Sequence, residues 1–167
     1  MKQKYIDYYM DIAQRTAQLS YAEKLKVGAI LVKDDTIISI GYNGTPKGWD
    51  NSCEDKVYYK DLVGIYEERH LHYHGDINEF SFKDEKGDYK LGTKEEVFHA
   101  EENVISKIMK STISSEGAIL FCTCSPCVRC AKLIANAGIK SVYYLNEYRS
   151  SSGIEFLKKF GVEVIKY

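Results

Sequence analysis

His99, Glu101, Cys127 and Cys130 are the residues whose types and spacing could do chemistry. They stand in two short runs, Phe98-His99-Ala100-Glu101-Glu102-Asn103 and Ser125-Pro126-Cys127-Val128-Arg129-Cys130. A zinc ion with an open position takes three nitrogen or sulfur ligands from the protein and leaves a fourth place for water. One histidine and a Cys-x-x-Cys pair supply that count. Two cysteines three residues apart at a helix start can aim both sulfurs at one point, and the helix N-terminus favours their thiolates. Two thiolates cancel the charge of a divalent metal, so a water in the fourth place becomes tunable toward hydroxide. Glu101 could then take a proton from water and hand it to a substrate nitrogen without itself coordinating. A Cys-x-x-Cys alone is more often a redox or structural-zinc motif, with Cys124 as the candidate fourth ligand. A structural site, however, has no use for Glu101. Cys122 and Cys124 read as small buried hydrophobes at a strand end.

These residues must be positioned by a chain of 167 residues, the length of one domain, here residues 1–167. Ile6, Tyr9, Met10, Ala13 and Ala17 recur at helical spacing and predict an amphipathic helix over about 4–19. The β-branched runs 27–33 and 36–42 flank Asp34-Asp35 and predict a tight hairpin. Residues of about 51–93 form an irregular insertion, with a helix expected near 55–68 and the charge run 83–90 expected as a mobile loop. A helix is expected over about 98–110. Beyond it, 118–123 and 141–145 read as strands, 127–138 as a helix closed by Gly138, and 154–161 as a helix between an N-cap Ser152 and a stop at Gly161. The last strand covers 162–167. Strands alternating with helices predict a parallel βαβαβ portion added to the N-terminal hairpin.

Composition narrows the partners. Lys plus Arg number 23 against 24 for Asp plus Glu, a net charge of −1 that argues against nucleic-acid binding by bulk electrostatics. The first twenty residues interleave charged and apolar positions, so they read neither as a signal peptide nor as a membrane span. Five cysteines, four of them within residues 122–130, suit a reducing compartment and metal chemistry better than a disulfide framework. The cytoplasm is the expected location.

At these residues the chain resembles the zinc-dependent cytidine deaminase superfamily, whose signature is H-x-E…P-C-x-x-C, and within it the phage-type deoxycytidylate (dCMP) deaminases. The segments VGAILV…GYNGTPKG (27–48), HAEEN (99–103) and TCSPCVRCAKLIANAGIKSVYY (123–144) follow that family's order. The resemblance implies a three-layer α/β/α domain with a mixed five-stranded sheet. It implies His99, Cys127 and Cys130 as zinc ligands and Glu101 as proton shuttle. It assigns Asn43 to the deoxyribose hydroxyl, the backbone around Ala100 and Ser125 to the cytosine edge, and Tyr148 to the neighbourhood of the phosphate. The implied reaction is attack of an activated water on C4, giving dUMP and ammonia from dCMP. The resemblance further implies a homohexamer activated by dCTP with Mg²⁺ and inhibited by dTTP, with Gly41, Tyr42, Asn43, Gly44 and Lys47 forming the effector loop and Trp49 beside it.

Many relatives of that family carry a second zinc, for which Cys53 and the run His70, His72 and His74 are the candidates here. Leu25 replaces one expected cysteine, and alternate histidines on a strand also fit a solvated face. Glu102 stands where relatives are usually apolar, which suggests a solvent-facing helix or a subunit contact. Lys24, Lys26, Lys107 and Lys110 are weak phosphate candidates. Deamination of dCTP, or of a flipped base in tRNA, is the rival enzymatic reading. A non-catalytic dNTP-binding regulator with structural zinc is the rival from another class.

Overall fold

The computed structural model describes residues 1–68 and 81–167, so His70, His72 and His74 lie outside the described residues. Helix α1 (Gln3–Ala17) precedes the hairpin β1 (Gly28–Lys33) and β2 (Thr36–Tyr42). The insertion holds β3 (Glu54–Tyr58), α2 (Tyr59–Glu68), β4 (Phe82–Asp84) and β5 (Gly87–Thr93). After it come α3 (Ala100–Ile108), β6 (Ile119–Cys124), α4 (Val128–Asn136), β7 (Ser141–Asn146), α5 (Ser152–Phe160) and β8 (Glu163–Lys166).

The main sheet has the order β2-β1-β6-β7-β8. Strand β1 is antiparallel to both neighbours, while β6, β7 and β8 run parallel, as the alternation of strands and helices requires. Asp34 and Asp35 both adopt positive φ, 48° and 58°, the backbone of a type I′ hairpin turn. Strand β1 is apolar from Gly28 to Val32 because both of its faces are covered there. Ile30 and Val32 pack with Phe121 against Tyr9, Met10 and Ala13 of α1. Ala29 and Leu31 face the other way, into a cluster with Val104 of α3, Ile134 of α4 and Leu157 of α5. The expected three layers, helix over sheet over helices, are present.

Glycines set two of the layer distances. A Cβ on Gly28 would overlap the Ala13 carbonyl oxygen of α1, and one on Gly41 would overlap the Ala100 carbonyl oxygen and stand 2.7 Å from the Val104 nitrogen. Helix α3 therefore lies directly on the β2 backbone.

The insertion differs from expectation in two places. Residues 54–58 are strand, and only 59–68 are helix. The charged run 83–90 is the core of a hairpin in a separate three-stranded sheet, order β3-β5-β4. Its polar side chains satisfy one another there. Asp84 accepts from Lys56 (2.6 Å) and from Tyr58 Oη (2.9 Å), and Lys56 lies over the Tyr89 ring. At α5 the N-cap is Ser151, not Ser152, with its hydroxyl 2.6 Å from Glu155 Oε1.

Candidate active site

Two helix N-termini meet at the site. His99 is the N-cap of α3, and Cys127 is the N-cap of α4, with Cys130 in its first turn. The α4 end is held in place by Gly153 of α5, where a Cβ would overlap the Pro126 carbonyl oxygen. Ser125 anchors the turn that carries the cysteines, its N–H donating to the Asn146 carbonyl and its Oγ accepting the Tyr148 N–H.

His99 Nδ1 lies 3.3 Å from Cys130 Sγ and 3.6 Å from Cys127 Sγ. All three potential ligand atoms fall within 4.8 Å of one another, the one such group among the described residues. A tetrahedral zinc with sulfur at about 2.3 Å and nitrogen at about 2.05 Å separates N from S by about 3.6 Å. The donor set thus fits zinc in both chemistry and spacing, with three ligands and one position left over.

The protonation of the group follows from its crowding. Hydrogen bonding from Cys130, then from His99, pulls the Cys127 thiol down to about 3. The same contact and burial push the Cys130 thiol up. The bond to Cys127 also raises His99. Glu101 is 4% exposed, and burial pushes its carboxyl up to about 7, with smaller upward contributions from Cys127 and Glu102. A carboxyl poised there can both accept and return a proton near neutral pH.

These residues open onto a cavity of about 720 Å³, lined by His99, Ala100, Glu101, Ser125 and Cys127 together with Asn43 and Tyr148. Cys124 lines it as well, while Cys122 is fully buried; burial raises both thiols. Asn43 does more than face this space. Its Oδ1 accepts the Val27 N–H and its Nδ2 donates to the Leu25 carbonyl, both at 2.8 Å. One N–H and one lone pair of the amide are left for a ligand. Lys24, Lys94, Arg129 and Arg149 add positive charge to the lining. The insertion supplies one wall through Glu54, Gly92 and Thr93, extended by Lys94 and Glu95 just after it, and Glu54 also accepts the N–H groups of Glu23 and Lys24.

A second cavity, about 460 Å³, is lined by Tyr42, Gly44, Pro46, Lys47, Asn103 and Lys107, among others. Gly41 and Asn43 do not line it: Gly41 sits beneath α3, and Asn43 faces the first cavity. Lys26 and Lys110 line neither. Trp49 is 61% exposed. Cys53 borders the second cavity but is buried with Ala22 and Val97. Gly44 and Phe98 exchange two backbone hydrogen bonds, so the loop of the second cavity is tied to the residue preceding His99.

Glu102 is neither solvent-facing nor apolar in its contacts; it completes a capping box with His99 and bonds Arg129. Sequence reasoning missed this pair, and it missed Gly153. Nothing in local spacing signals either contact.

Comparison with known proteins agrees with this geometry. Residues 3–146 match the model of the cytidine and deoxycytidylate deaminase zinc-binding region. The deoxycytidylate deaminase of Enterobacteria phage T4 is 32% identical over 165 residues, covering 93% of this chain and 86% of that protein. The deoxycytidylate deaminase of Mycobacterium phage D29 is 32% identical, covering 84% of this chain and 94% of its own. The crystal structure of the cyanophage S-TIM5 dCMP deaminase in complex with dCMP and dUMP superposes with a TM-score of 0.76. It is 39% identical and covers 100% of this chain and 99% of that one.

Proposed function

We propose, from the premise that this chain belongs to the cytidine and deoxycytidylate deaminase family, that it hydrolyses dCMP to dUMP and ammonia. The observation that carries this reading is a buried carboxyl, Glu101, in the cavity that the His-Cys-Cys group lines. Zinc, held by His99, Cys127 and Cys130, supplies when bound the Lewis acidity that makes water nucleophilic near neutral pH. The chain's own residues manage the protons. Glu101 takes one proton from the attacking water and delivers it to N3 of cytosine; it then takes the second from the new C4 hydroxyl and hands it to the departing amine, leaving the C4 carbonyl of dUMP and ammonia. Asn43, the Ala100 and Ser125 backbone and Tyr148 orient the nucleotide, supported by their place on the cavity wall. Because the Ser125 N–H is already bonded to Asn146, its carbonyl is the group assigned to the base.

We infer that the second cavity takes a deoxynucleoside triphosphate with Mg²⁺ through Tyr42, Gly44 and Lys47. The Gly44–Phe98 bridge is the route by which dCTP or dTTP would act on His99. Unchanged Trp49 fluorescence and melting temperature with millimolar dNTP and Mg²⁺ would remove this regulatory reading. A homohexamer is the proposed assembly, checked by light scattering. A second zinc would be held by Cys53 and one or two of His70, His72 and His74; a content of one zinc per chain rejects it. No described helix is long and apolar enough to cross a membrane, in keeping with the cytoplasmic location proposed.

The test of the main reading is ammonia release from dCMP, dCTP, cytidine and tRNA by the purified zinc-loaded protein. Turnover of dCMP is expected, with Glu101→Gln reducing kcat at least ~10²-fold. Turnover confined to dCTP or tRNA, or undiminished in Glu101→Gln, overturns it.

A further inference from the structure

The two ligand-bearing helix ends are joined by one side-chain bridge that is not itself a ligand contact. Glu102 Oε2 accepts the His99 N–H at 2.7 Å and an Arg129 Nη2–H at 2.9 Å. Glu102 is the third residue of α3, so this carboxylate fixes the backbone of the histidine ligand. Arg129 is the second residue of α4 and stands between Cys127 and Cys130 in the chain. A single oxygen therefore holds both halves of the metal-binding group. The Glu102 side chain retains only 13% of its exposure, so the carboxylate end of the bridge is shielded even though Arg129 reaches solvent at 57%.

The distances at stake are small. His99 Nδ1 sits 3.3 and 3.6 Å from the two sulfurs, a spacing that suits a tetrahedral ion only while α4 keeps its place against α3. Groups that orient metal ligands typically change metal affinity 10–100-fold when removed. A half-exposed ion pair on its own does little for stability. What distinguishes this one is its placement: its carboxylate bonds the backbone of one ligand, and its guanidinium projects from the helix turn that carries the other two.

We propose that Glu102 and Arg129 form a clasp that sets the separation of the α3 and α4 ends and thereby slows the loss of zinc. They are positioning residues, since neither offers a ligand atom to the metal group. The inference rests on the zinc reading above, and its failure is distinguishable from the failure of that reading. Wild-type protein purified without zinc defeats the zinc reading itself, whereas normal zinc content with unaltered release in the variants defeats only the clasp.

The experiment measures zinc release from the full-length, zinc-loaded protein into excess chelator, followed with a chromogenic zinc indicator. Glu102→Gln keeps an acceptor for the His99 N–H and removes the charge; Arg129→Ala removes the partner. Each is expected to release zinc about 10-fold faster than wild type, the low end of the range for ligand-orienting groups. The double variant is expected to be no faster than the faster single, because both act through one bond. Arg129→Lys is expected to restore release to within about 3-fold of wild type by supplying one charged donor. Val32→Ala, in the cluster under α1, lowers the melting temperature without touching the clasp and should leave release unchanged. Unchanged release in either single variant, multiplicative effects in the double, or equal acceleration by Val32→Ala overturns the proposal. So does an Arg129→Ala protein whose KM for dCMP rises while its zinc release matches wild type, because Arg129 would then act only on the cavity ligand.

Discussion

Replacing Glu101 with glutamine should make the metal-free protein more stable while nearly abolishing its activity. The reasoning starts from a carboxyl that is 4% exposed and whose value is raised by burial from 4.5 to about 7. The folded protein thus binds this proton more tightly than the unfolded chain does. Between pH 4.5 and about 7 the folded state carries the extra proton, so stability falls as pH rises through that window and levels off above it. At 1.36 kcal/mol per pH unit, the displacement corresponds to about 3 kcal/mol lost by pH 8. Glutamine is nearly isosteric with the protonated side chain and has nothing to ionise. Urea denaturation of chelator-treated wild type and Glu101→Gln at pH 5, 6.5 and 8 measures the difference. At pH 5 the variant should lead by no more than about 1 kcal/mol; at pH 8 the lead should grow to about 1–3 kcal/mol. Zinc loading should shrink the gap, since a nearby cation stabilises the carboxylate. Equal curves at pH 8, or a gap that is widest at pH 5, would refute the account of a carboxyl held ready at a cost to the fold.

Other substitutions probe the scaffold around the chemistry. Gly153→Ala drives a methyl into the Pro126 carbonyl and should cost about 1–3 kcal/mol, with lower zinc content, by urea titration and metal analysis. Wild-type stability there would mean that α5 does not hold the cysteine turn. Gly41→Ala should separate α3 from β2 at a similar cost, and the same titration checks it. Asn43→Ala removes the clamp on the Leu25 carbonyl and the Val27 N–H. It should cost about 1–2 kcal/mol and raise KM for dCMP, by steady-state kinetics.

The parts of the fold legible in the sequence are those whose signal is local. The apolar run of β1, the Asp34-Asp35 turn and the glycines after α4 and α5 each declare their conformation within a few residues. Gly138 and Gly161 have φ of 69° and 93°, the left-handed geometry that a helix stop needs. The metal group was legible for the same reason, because its spacing within each run is set by a helix turn. Strand β3 was not. Its pairing of Glu54 with Thr93 and Tyr58 with Tyr89 depends on a partner far along the chain, and its exposed positions erase the period-two pattern. The run 83–90 carries enough charge to pass for a loop, yet Asp84 is bonded by Lys56 and Tyr58 from across the sheet. Glu102 and Arg129 are 27 residues apart, and only the docking of α3 beside α4 brings them together. Ser151 and Ser152 are chemically alike, so composition alone could not choose the cap.

The interior strand β1 also orders events during synthesis. One edge of β1 is covered by β2, its hairpin neighbour, but the other waits for β6. The Gly28 N–H finds its acceptor, the Thr123 hydroxyl, 95 residues further on. Until the ribosome has released β6, a ribbon buried on both faces in the finished protein has one edge without a partner, which is an invitation to pair with the wrong chain. The cysteine turn follows β6 directly. The segment that closes this edge is therefore also the one that completes the metal group, and zinc uptake in a translating or refolding chain should report when the vulnerable interval has ended.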